Sequence, residues 1–432
     1  MFTMSMIDYD ARPVTPQLLL VGHRASSVGY SIRDFLSRNG VPYEWVDVDG
    51  ADSAARVGAL LPAGEMGVDQ LPVCVLPNGT RLAPATLEGI AAGLGMVSAP
   101  LLSEYDLTIV GAGPSGLAAA VYAASEGLRA VAIEAVAPGG QAGTTSMIEN
   151  YLGFPQGISG SELATRATAQ ARRFGAEVLL ARRVADMTRD GPGYVAQLSD
   201  GTAVRSRAML VANGVDWRRL EVPGIDELLG SGVYYGAGPS EAVTCSGCRV
   251  TIVGGGNSAG QAVIRFSRYA AHVTLLVRGP SLEASMSQYL ISQMKELGNV
   301  EVRTNSEVVG LESDTRLRAL MVSSEGTVAR LSADALFVCI GGVPRTQAAA
   351  NVGLARDTAG FVRTGAELIS SAGALNGWPL SRQPLPLETN LPGLFAAGDV
   401  RSGSIKRCAA AIGEGSMAVA LVHQRLAEVG GE

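Results

Sequence analysis

The sequence predicts an α/β protein of about three domains, in which helices cover mostly parallel sheets. Three observations predict it. The chain has 432 residues, and at roughly 150 residues per domain that gives about three. Glycine reaches 54 residues beside an apolar fraction of 47% and only 5% aromatics, which suits tight strand-to-helix turns and close helix–sheet packing. Twice along the chain, a short apolar strand runs into a glycine-rich turn and then a helix of small residues.

Charge and rare residues exclude several functions. The net charge is −6 and the pI about 5.3. An acidic chain without a basic block is poorly suited to nucleic acid or anionic lipid. The histidines are His23, His272 and His423, none in a G-x-S-x-G or H-E-x-x-H context. A hydrolase triad and a multi-histidine metal site are therefore not expected. The cysteines, Cys74, Cys245, Cys248, Cys339 and Cys408, are too sparse and odd in number for a secreted disulfide framework. Asp8 and Asp10 precede any apolar run, so the start does not read as a signal peptide. The one uncharged run of membrane length, residues 107–125, is rich in glycine and contains Pro114. It reads as strand, turn and helix, and the protein is expected to be soluble and cytoplasmic.

Residues 1–16 read as a flexible lead. A first domain follows over 17–102. Its expected elements are a strand at 18–22, a helix at 28–39 stopped by Asn39-Gly40, a strand at 43–48 and a helix at 51–61. A strand at 73–76 enters after Leu71-Pro72, and a turn at Asn78-Gly79 leads to a helix at 86–94. The order and spacing resemble small thioredoxin-fold domains, glutaredoxins in particular. That resemblance implies a cis bond at Pro72 and a Cys-x-x-Cys opening the first helix. The matching stretch is Ser26, Ser27, Val28 and Gly29, and serine cannot form the mixed disulfide of thiol exchange. Cys74, inside a strand, reads as a small buried hydrophobe. The domain is either a glutathione- or partner-docking module without chemistry, or a fused structural domain.

The first dinucleotide unit begins with an apolar strand at 106–110. It runs into Gly111, Gly113, Pro114, Ser115 and Gly116, then a helix at 117–126. A second strand at 129–134 ends in Glu134. This is G-x-G-x-x-G between strand and helix. The glycines let the backbone approach a pyrophosphate, and the helix N-terminus stabilises its charge. An acid at the end of the second strand bonds ribose hydroxyls. The plan recurs with a strand at 249–253, then Gly254, Gly256, Asn257, Ser258 and Ala259 opening a helix, and a strand at 272–277. Here the strand ends at Arg278. An acid suits a bare ribose and a cation accommodates a 2′-phosphate. The first unit therefore reads as an FAD site and the second as a nicotinamide site, two cofactors that together relay hydride.

From about residue 103 onward the chain resembles bacterial thioredoxin reductases and related flavoproteins. The matching segments, in order, are the first glycine turn, Gly139-Gly140-Gln141, Glu149 to Phe154, the second glycine cluster, Phe395-Ala396-Ala397-Gly398-Asp399, and residues 407–414. The resemblance implies a Rossmann-like FAD domain split over 103–221 and 331–432, around an NAD(P) domain at 222–330. It implies that Gly140, Gln141 and Asn150 line the flavin side. Gly398 and Asp399 meet the ribityl or phosphate portion. The helix opening at Arg407, Cys408 and Ala409 points at the flavin's pyrimidine edge. It also implies a homodimer.

Two departures bear on chemistry. The family's Cys-Ala-Thr-Cys falls where this chain has Gly236 to Pro239, with Gly236 and Pro239 in the cysteine positions. The usual disulfide relay then has no thiolate. Cys245 and Cys248 form a Cys-x-x-Cys at a strand entry; they are read as structural, with a redox pair as the alternative. Cys408 is a second redox candidate, and Cys339 reads as core. The family's phosphate-reading His-Arg-Arg-x-x-x-Arg aligns with residues 277–283, where Arg278 remains and Glu283 replaces the last arginine. NADPH is then expected to bind weakly, or NADH to be preferred. Ser285, Ser287 and Tyr289 either bond a phosphate or cap a helix. A loop over 366–387 holding Trp378 is expected to cover the flavin side or meet a partner. The implied function is an FAD-dependent oxidoreductase serving a small-molecule or protein redox acceptor. The alternatives are a thiol relay through Cys245/Cys248 or Cys408, and a flavin-loaded sensor or docking module.

Overall fold

The computed structural model describes residues 18–23, 26–50, 70–145, 147–148, 150–236, 242, 244–369 and 378–430. The expected lead 1–16 and helix 51–61 lie outside them. The chain divides into two compact units, Met1–Leu94 and Gly95–Glu432.

In the first unit, strands Leu18–Gly22, Tyr43–Asp47, Val73–Val75 and Arg81–Leu82 form one sheet, with Leu18–Gly22 between Tyr43–Asp47 and Val73–Val75. The 18–22 and 43–47 strands run parallel and the others antiparallel. The helix Ser27–Arg38 starts where expected because the Ser26 hydroxyl accepts from the Gly29 N–H at 3.0 Å, satisfying an orphan donor of the first turn. It buries Ile32, Phe35 and Leu36, the i, i+3, i+4 stripe of a helix lying on a sheet. The Leu71–Pro72 bond is cis, as the resemblance implied, and so is Ala83–Pro84. Cys74 is fully buried.

The second unit holds two parallel sheets. In the first, strands run in the order 177–179, 130–133, 105–110, 203–211 and 394–396, with an antiparallel meander over 184–211 on one side. In the second, the order is 233–235, 335–338, 249–253, 272–276 and 300–303, followed by a three-stranded meander over 306–332. The helix Pro114–Ser125 covers the first sheet with Ala119, Ala120 and Ala123. The C-terminal helix Cys408–Gly430 packs on it so closely that a Cβ at Gly415 would collide with the Ser115 carbonyl. Small residues at this contact set the approach of the two helices. No described helix is long and apolar enough to cross a membrane.

Among the described residues the chain crosses between the sheets twice, at Val215–Trp217 and Gly342–Pro344, and the two crossings pair antiparallel. This corrects the expected boundary at 331. Ala335–Val338 pairs with Val250–Val253 in the second sheet, so the return to the first comes near 342. A short apolar run does not reveal which of two parallel sheets it joins. The expected boundary at 102/103 also moves. Residues 95–104 belong to the second unit, where the Glu177 carboxylate accepts from the Leu101 N–H at 3.1 Å and from the Tyr105 hydroxyl.

The described part of the 366–387 loop reaches two places: Glu367 lies beside Gly403, where a Cβ would come within 3.0 Å of its carboxylate, and residues 378–387 are anchored through Arg382. Arg382 pairs with the fully buried Glu388 at 2.7 Å and with Glu428 at 2.6 Å, and the Trp378 indole donates to the Arg382 carbonyl at 2.6 Å. Glu428 stands near the end of the C-terminal helix, about 30 Å from Cys408 at 1.5 Å per residue. A carboxylate buried as deeply as Glu388 requires a cation, and Arg382 draws the loop to it.

Candidate functional site

The strand Tyr105–Val110 is buried throughout and delivers Gly111 with φ +103°. A Cβ there would come within 2.7 Å of the Ala212 carbonyl oxygen, and one at Gly116 would collide with the Gly111 carbonyl. Gly113 is the N-cap of the helix and Pro114 its first residue, the position where proline suits a helix start. Opposite stands Gly140, whose Cα is 3.9 Å from where a Gly113 Cβ would be. Ser115 is 4% exposed, and its hydroxyl has no hydrogen-bond partner among the described residues. Glu134, 7% exposed, accepts from the Ala112 N–H on one oxygen and the Val136 N–H on the other, both at 2.9 Å. The acid is thus part of the turn's own framework. The whole forms a concave, donor-rich helix start suited to an anion.

The far rim comes from the C-terminal segment. Gly398 has φ +78°, and a Cβ on it would sit 3.0 Å from the Ser115 Cβ. Its N–H donates to Glu414 at 2.7 Å, and Glu414 in turn pairs with Arg401 at 2.6 Å. This brace sets the Asp399 turn beside the first helix. No hydrogen bond reaches the Asp399 carboxylate among the described residues. Burial raises its pKa, Lys406 opposes that rise and Glu414 adds to it. The Lys406 ammonium lies over the Phe361 ring and donates to the Asp399 carbonyl at 3.2 Å.

The remaining sequence-predicted flavin residues divide. Cys408 opens the C-terminal helix and is half-buried, whereas Arg407, Ala409 and Asn150 are exposed. Burial, with the Asp399 charge, pushes the Cys408 thiol up to about 11. The Gln141 amide turns toward the crossing and donates to the Val215 carbonyl at 2.8 Å.

The second turn repeats the plan. Gly254 has φ +146°, and a Cβ on it would collide with the Cys339 carbonyl. Gly256 is the N-cap of Asn257–Phe266. Asn257 accepts from the Ser287 N–H at 2.7 Å, and the Ser285 hydroxyl donates to the Gly255 carbonyl at 2.8 Å. Ala259 faces the core and Ser258 the solvent. Arg278 is exposed, with no ion pair among the described residues, and Glu283 is exposed too. Ser287 is the N-cap of Gln288–Lys295, but its hydroxyl makes no capping bond. Tyr289 packs against the second core.

All five cysteines are thiols with no disulfide between any of them. Cys339 is core, pushed up to about 12 by burial. Cys245 and Cys248 form a turn, with the Cys248 N–H donating to the Cys245 carbonyl at 3.0 Å. That turn precedes the strand Arg249–Val253, whereas Gly254 follows it. Five residues of strand separate the two by about 17 Å, and nucleotides in such sheets bind at the carboxyl ends.

Sequence reasoning missed Trp217. Gly236 has φ +81°, and a Cβ on it would lie 3.0 Å from Trp217 Cζ2. Pro239 lies outside the described residues. Trp217 is one of three tryptophans, and no local signal in the sequence points to its contact with Gly236.

Comparisons with known proteins match this geometry. A profile of the family described as "Pyridine nucleotide-disulphide oxidoreductase" matches residues 105–415. A thioredoxin reductase of Listeria monocytogenes serovar 1/2a is 32% identical over 322 residues, covering 73% of this chain and 91% of that protein. An alkyl hydroperoxide reductase component of Xanthomonas campestris pv. phaseoli is 27% identical over 366 residues, covering 84% of this chain and 62% of that protein. This second likeness is longer than the Gly95–Glu432 unit can supply, so it runs into the first unit. Among solved structures, T. acidophilum thioredoxin reductase superimposes with a TM-score of 0.66 at 26% identity, covering 75% of this chain and 99% of that one.

Proposed function

The chain belongs to the pyridine nucleotide-disulphide oxidoreductase family, and on that premise we propose that it is an FAD-dependent oxidoreductase that meets its acceptor without the family's dithiol. The electron donor is NADH, NADPH or another reductant. The acceptor is a small molecule or a redox protein. The observation that carries this reading is at Gly236. A left-handed backbone and the ring of Trp217, 3.0 Å from where a Cβ would be, crowd the position of the thiol that the family's relay begins with.

The residues present fit FAD. FAD, when bound, supplies a two-electron carrier between donor and acceptor. Gly111, Gly113 and Gly116 open the turn to a pyrophosphate, and the orphaned Ser115 hydroxyl gains a partner in a phosphate oxygen. Glu134, held by two N–H groups, has lone pairs left for ribose hydroxyls. Asp399 offers an acceptor for the hydroxylated chain of the cofactor. The N-terminus of the C-terminal helix favours negative charge at the pyrimidine edge.

The second turn takes the nicotinamide dinucleotide, with Arg278 as the cation for a 2′-phosphate. The FAD domain comprises 95–214 and the segment after the second crossing, with the NAD(P) domain between. The first unit acts as a thioredoxin-like docking module without exchange chemistry. Its strand order supports this, as does a first helix that opens at Ser26 instead of a cysteine. The working form is a cytoplasmic homodimer.

An anaerobic dithionite titration of the holoprotein tests the central point. Two electrons per flavin are expected; about four would return a redox disulfide, and with it Cys245/Cys248 or Cys408, to the mechanism. Anaerobic mixing with NADH and with NADPH tests the donor. Flavin bleaching is expected with at least one, and no bleaching with either removes nicotinamide as the source.

A further inference from the structure

We propose that Trp217 is a positioning residue that fixes the placement of the two dinucleotide sites relative to each other, by seating its ring on the bare backbone of Gly236. This rests on the reading of the two turns as FAD and nicotinamide sites.

The chain passes between the two sheets only at 215–217 and 342–344 among the described residues, and these crossings pair with each other. Any change in the placement of one sheet against the other has to deform this ladder. On one side the ladder is tied to the first sheet. Gln141 donates to the Val215 carbonyl at 2.8 Å, and Asn213 donates to the Arg345 carbonyl at 2.5 Å. Asp216 and Arg345 pair across the ladder at 2.6 Å.

On the other side, contacts run from the first crossing to the edge strand Val233–Tyr235 of the second sheet. Trp217 lies against Gly236, the Leu220 N–H donates to the Tyr235 hydroxyl at 2.9 Å, and the Arg219 guanidinium lies 5.4 Å from the Tyr235 ring centroid. The cation–ring contact comes from the exposed Arg219, whereas the hydrogen bond is partly buried. The ring on Gly236 is the closest member of the set: a Cβ there would lie 3.0 Å from Cζ2, so any side chain would push the ring away, and φ +81° favours glycine as well. The glycine in the first thiol position and the tryptophan in the crossing are two halves of one fitted contact.

The test uses the full-length holoprotein with Trp217→Ala, Trp217→Phe, Gly236→Ala and the double variant Trp217→Ala/Gly236→Ala. Hydrogen exchange is followed in peptides covering both crossings and, as reference, in the strand Tyr105–Val110. Flavin bleaching by the competent nucleotide is followed alongside.

Trp217→Ala should raise exchange at the crossings about tenfold with the reference strand unchanged. It should slow bleaching about tenfold at unaltered FAD content. Trp217→Phe should restore both. Gly236→Ala should resemble Trp217→Ala and add little to it, because backbone strain at position 236 is common to both backgrounds and cancels in the cycle. Unchanged exchange in Trp217→Ala, or failure of phenylalanine to rescue, overturns the proposal. If neither nucleotide bleaches the wild type, the donor reading fails, and the exchange cycle still decides the role of Trp217.

Discussion

The two glycine turns share a backbone plan and part company at the strand end that follows. At the first, Glu134 is buried and accepts two N–H bonds from the turn itself. At the second, Arg278 is exposed, and the bracing comes from Ser285 and Asn257, which tie the turn to the next segment. On the proposed reading, the difference teaches how one motif would serve two kinds of ligand. An acid built into the core makes the ligand's contact part of the fold, as suits a resident cofactor. A cation on the surface adds recognition without supporting the fold, as suits a ligand that comes and goes.

The strongest way to break this comparison is to fill each turn with a methyl group. Gly116→Ala drives a Cβ into the Gly111 carbonyl. Overpacking against backbone in a buried helix start should cost about 3 kcal/mol, with most of the FAD lost on purification. Gly254→Ala meets the Cys339 carbonyl in the same way but should spare FAD and abolish nicotinamide binding. Flavin absorbance relative to protein, and nucleotide titration, read the two outcomes. A Gly116→Ala protein that keeps its flavin would make the two turns equivalent.

Next in size is Glu134→Gln. The amide nitrogen turns a donor toward an N–H that had an acceptor, a buried mismatch of about 2 kcal/mol. A lower melting temperature and weaker FAD retention are expected together. Arg278→Ala, by contrast, should leave the melting temperature unchanged, because the side chain has no ion-pair partner among the described residues.

How much of this was legible in the sequence depends on range. The strand–turn–helix units were legible because their signals are local: a glycine turn after each strand announced a helix, although the first begins at Pro114 and not at the expected 117. The first helix was legible from its apolar spacing, and its cap by Ser26 emerged only in the structure. The membership of Ala335–Val338 was not legible, since an apolar strand carries no label for its sheet. Nor was the loop at Trp378, whose course is set by the burial of Glu388 and by Glu428, 46 residues beyond Arg382. Trp217 was missed for the same reason, as its partner is an absent side chain at Gly236. Gln141 was expected at the flavin from resemblance, and its hydrogen bond to the Val215 carbonyl was not foreseen.

A smaller effect sharpens the second turn. Arg278→Ala should weaken NADPH about fivefold and leave NADH unchanged, the scale of one exposed charge contact. Glu283→Arg should move the ratio the other way. Equal loss of both nucleotides would mean that Arg278 serves the shared pyrophosphate and not the 2′-phosphate.

The smallest change at neutral pH is expected at the thiols. Cys245→Ser/Cys248→Ser should leave flavin bleaching and turnover intact, because that turn lies at the end of Arg249–Val253 remote from Gly254. Cys408 is the more demanding case. A helix N-terminus ordinarily lowers a thiol pKa, but burial first and the Asp399 charge second push this one up to about 11, from an ordinary 9.0. The sign follows. Below pH 9 the thiol is protonated in folded and unfolded chains alike and adds no pH dependence. As pH rises from 9 toward 11 the unfolded chain ionises first, so this group's contribution lowers stability over that window. Iodoacetamide labelling of Cys408, followed by mass spectrometry in the Cys248→Ser background, should therefore be slow at pH 7 and accelerate only toward pH 11. Asp399→Asn should shift the profile down by a smaller amount than burial raises it. Rapid labelling at pH 7 would show an ionised thiol at the start of the C-terminal helix, and would make that end of the first site a place of thiol chemistry.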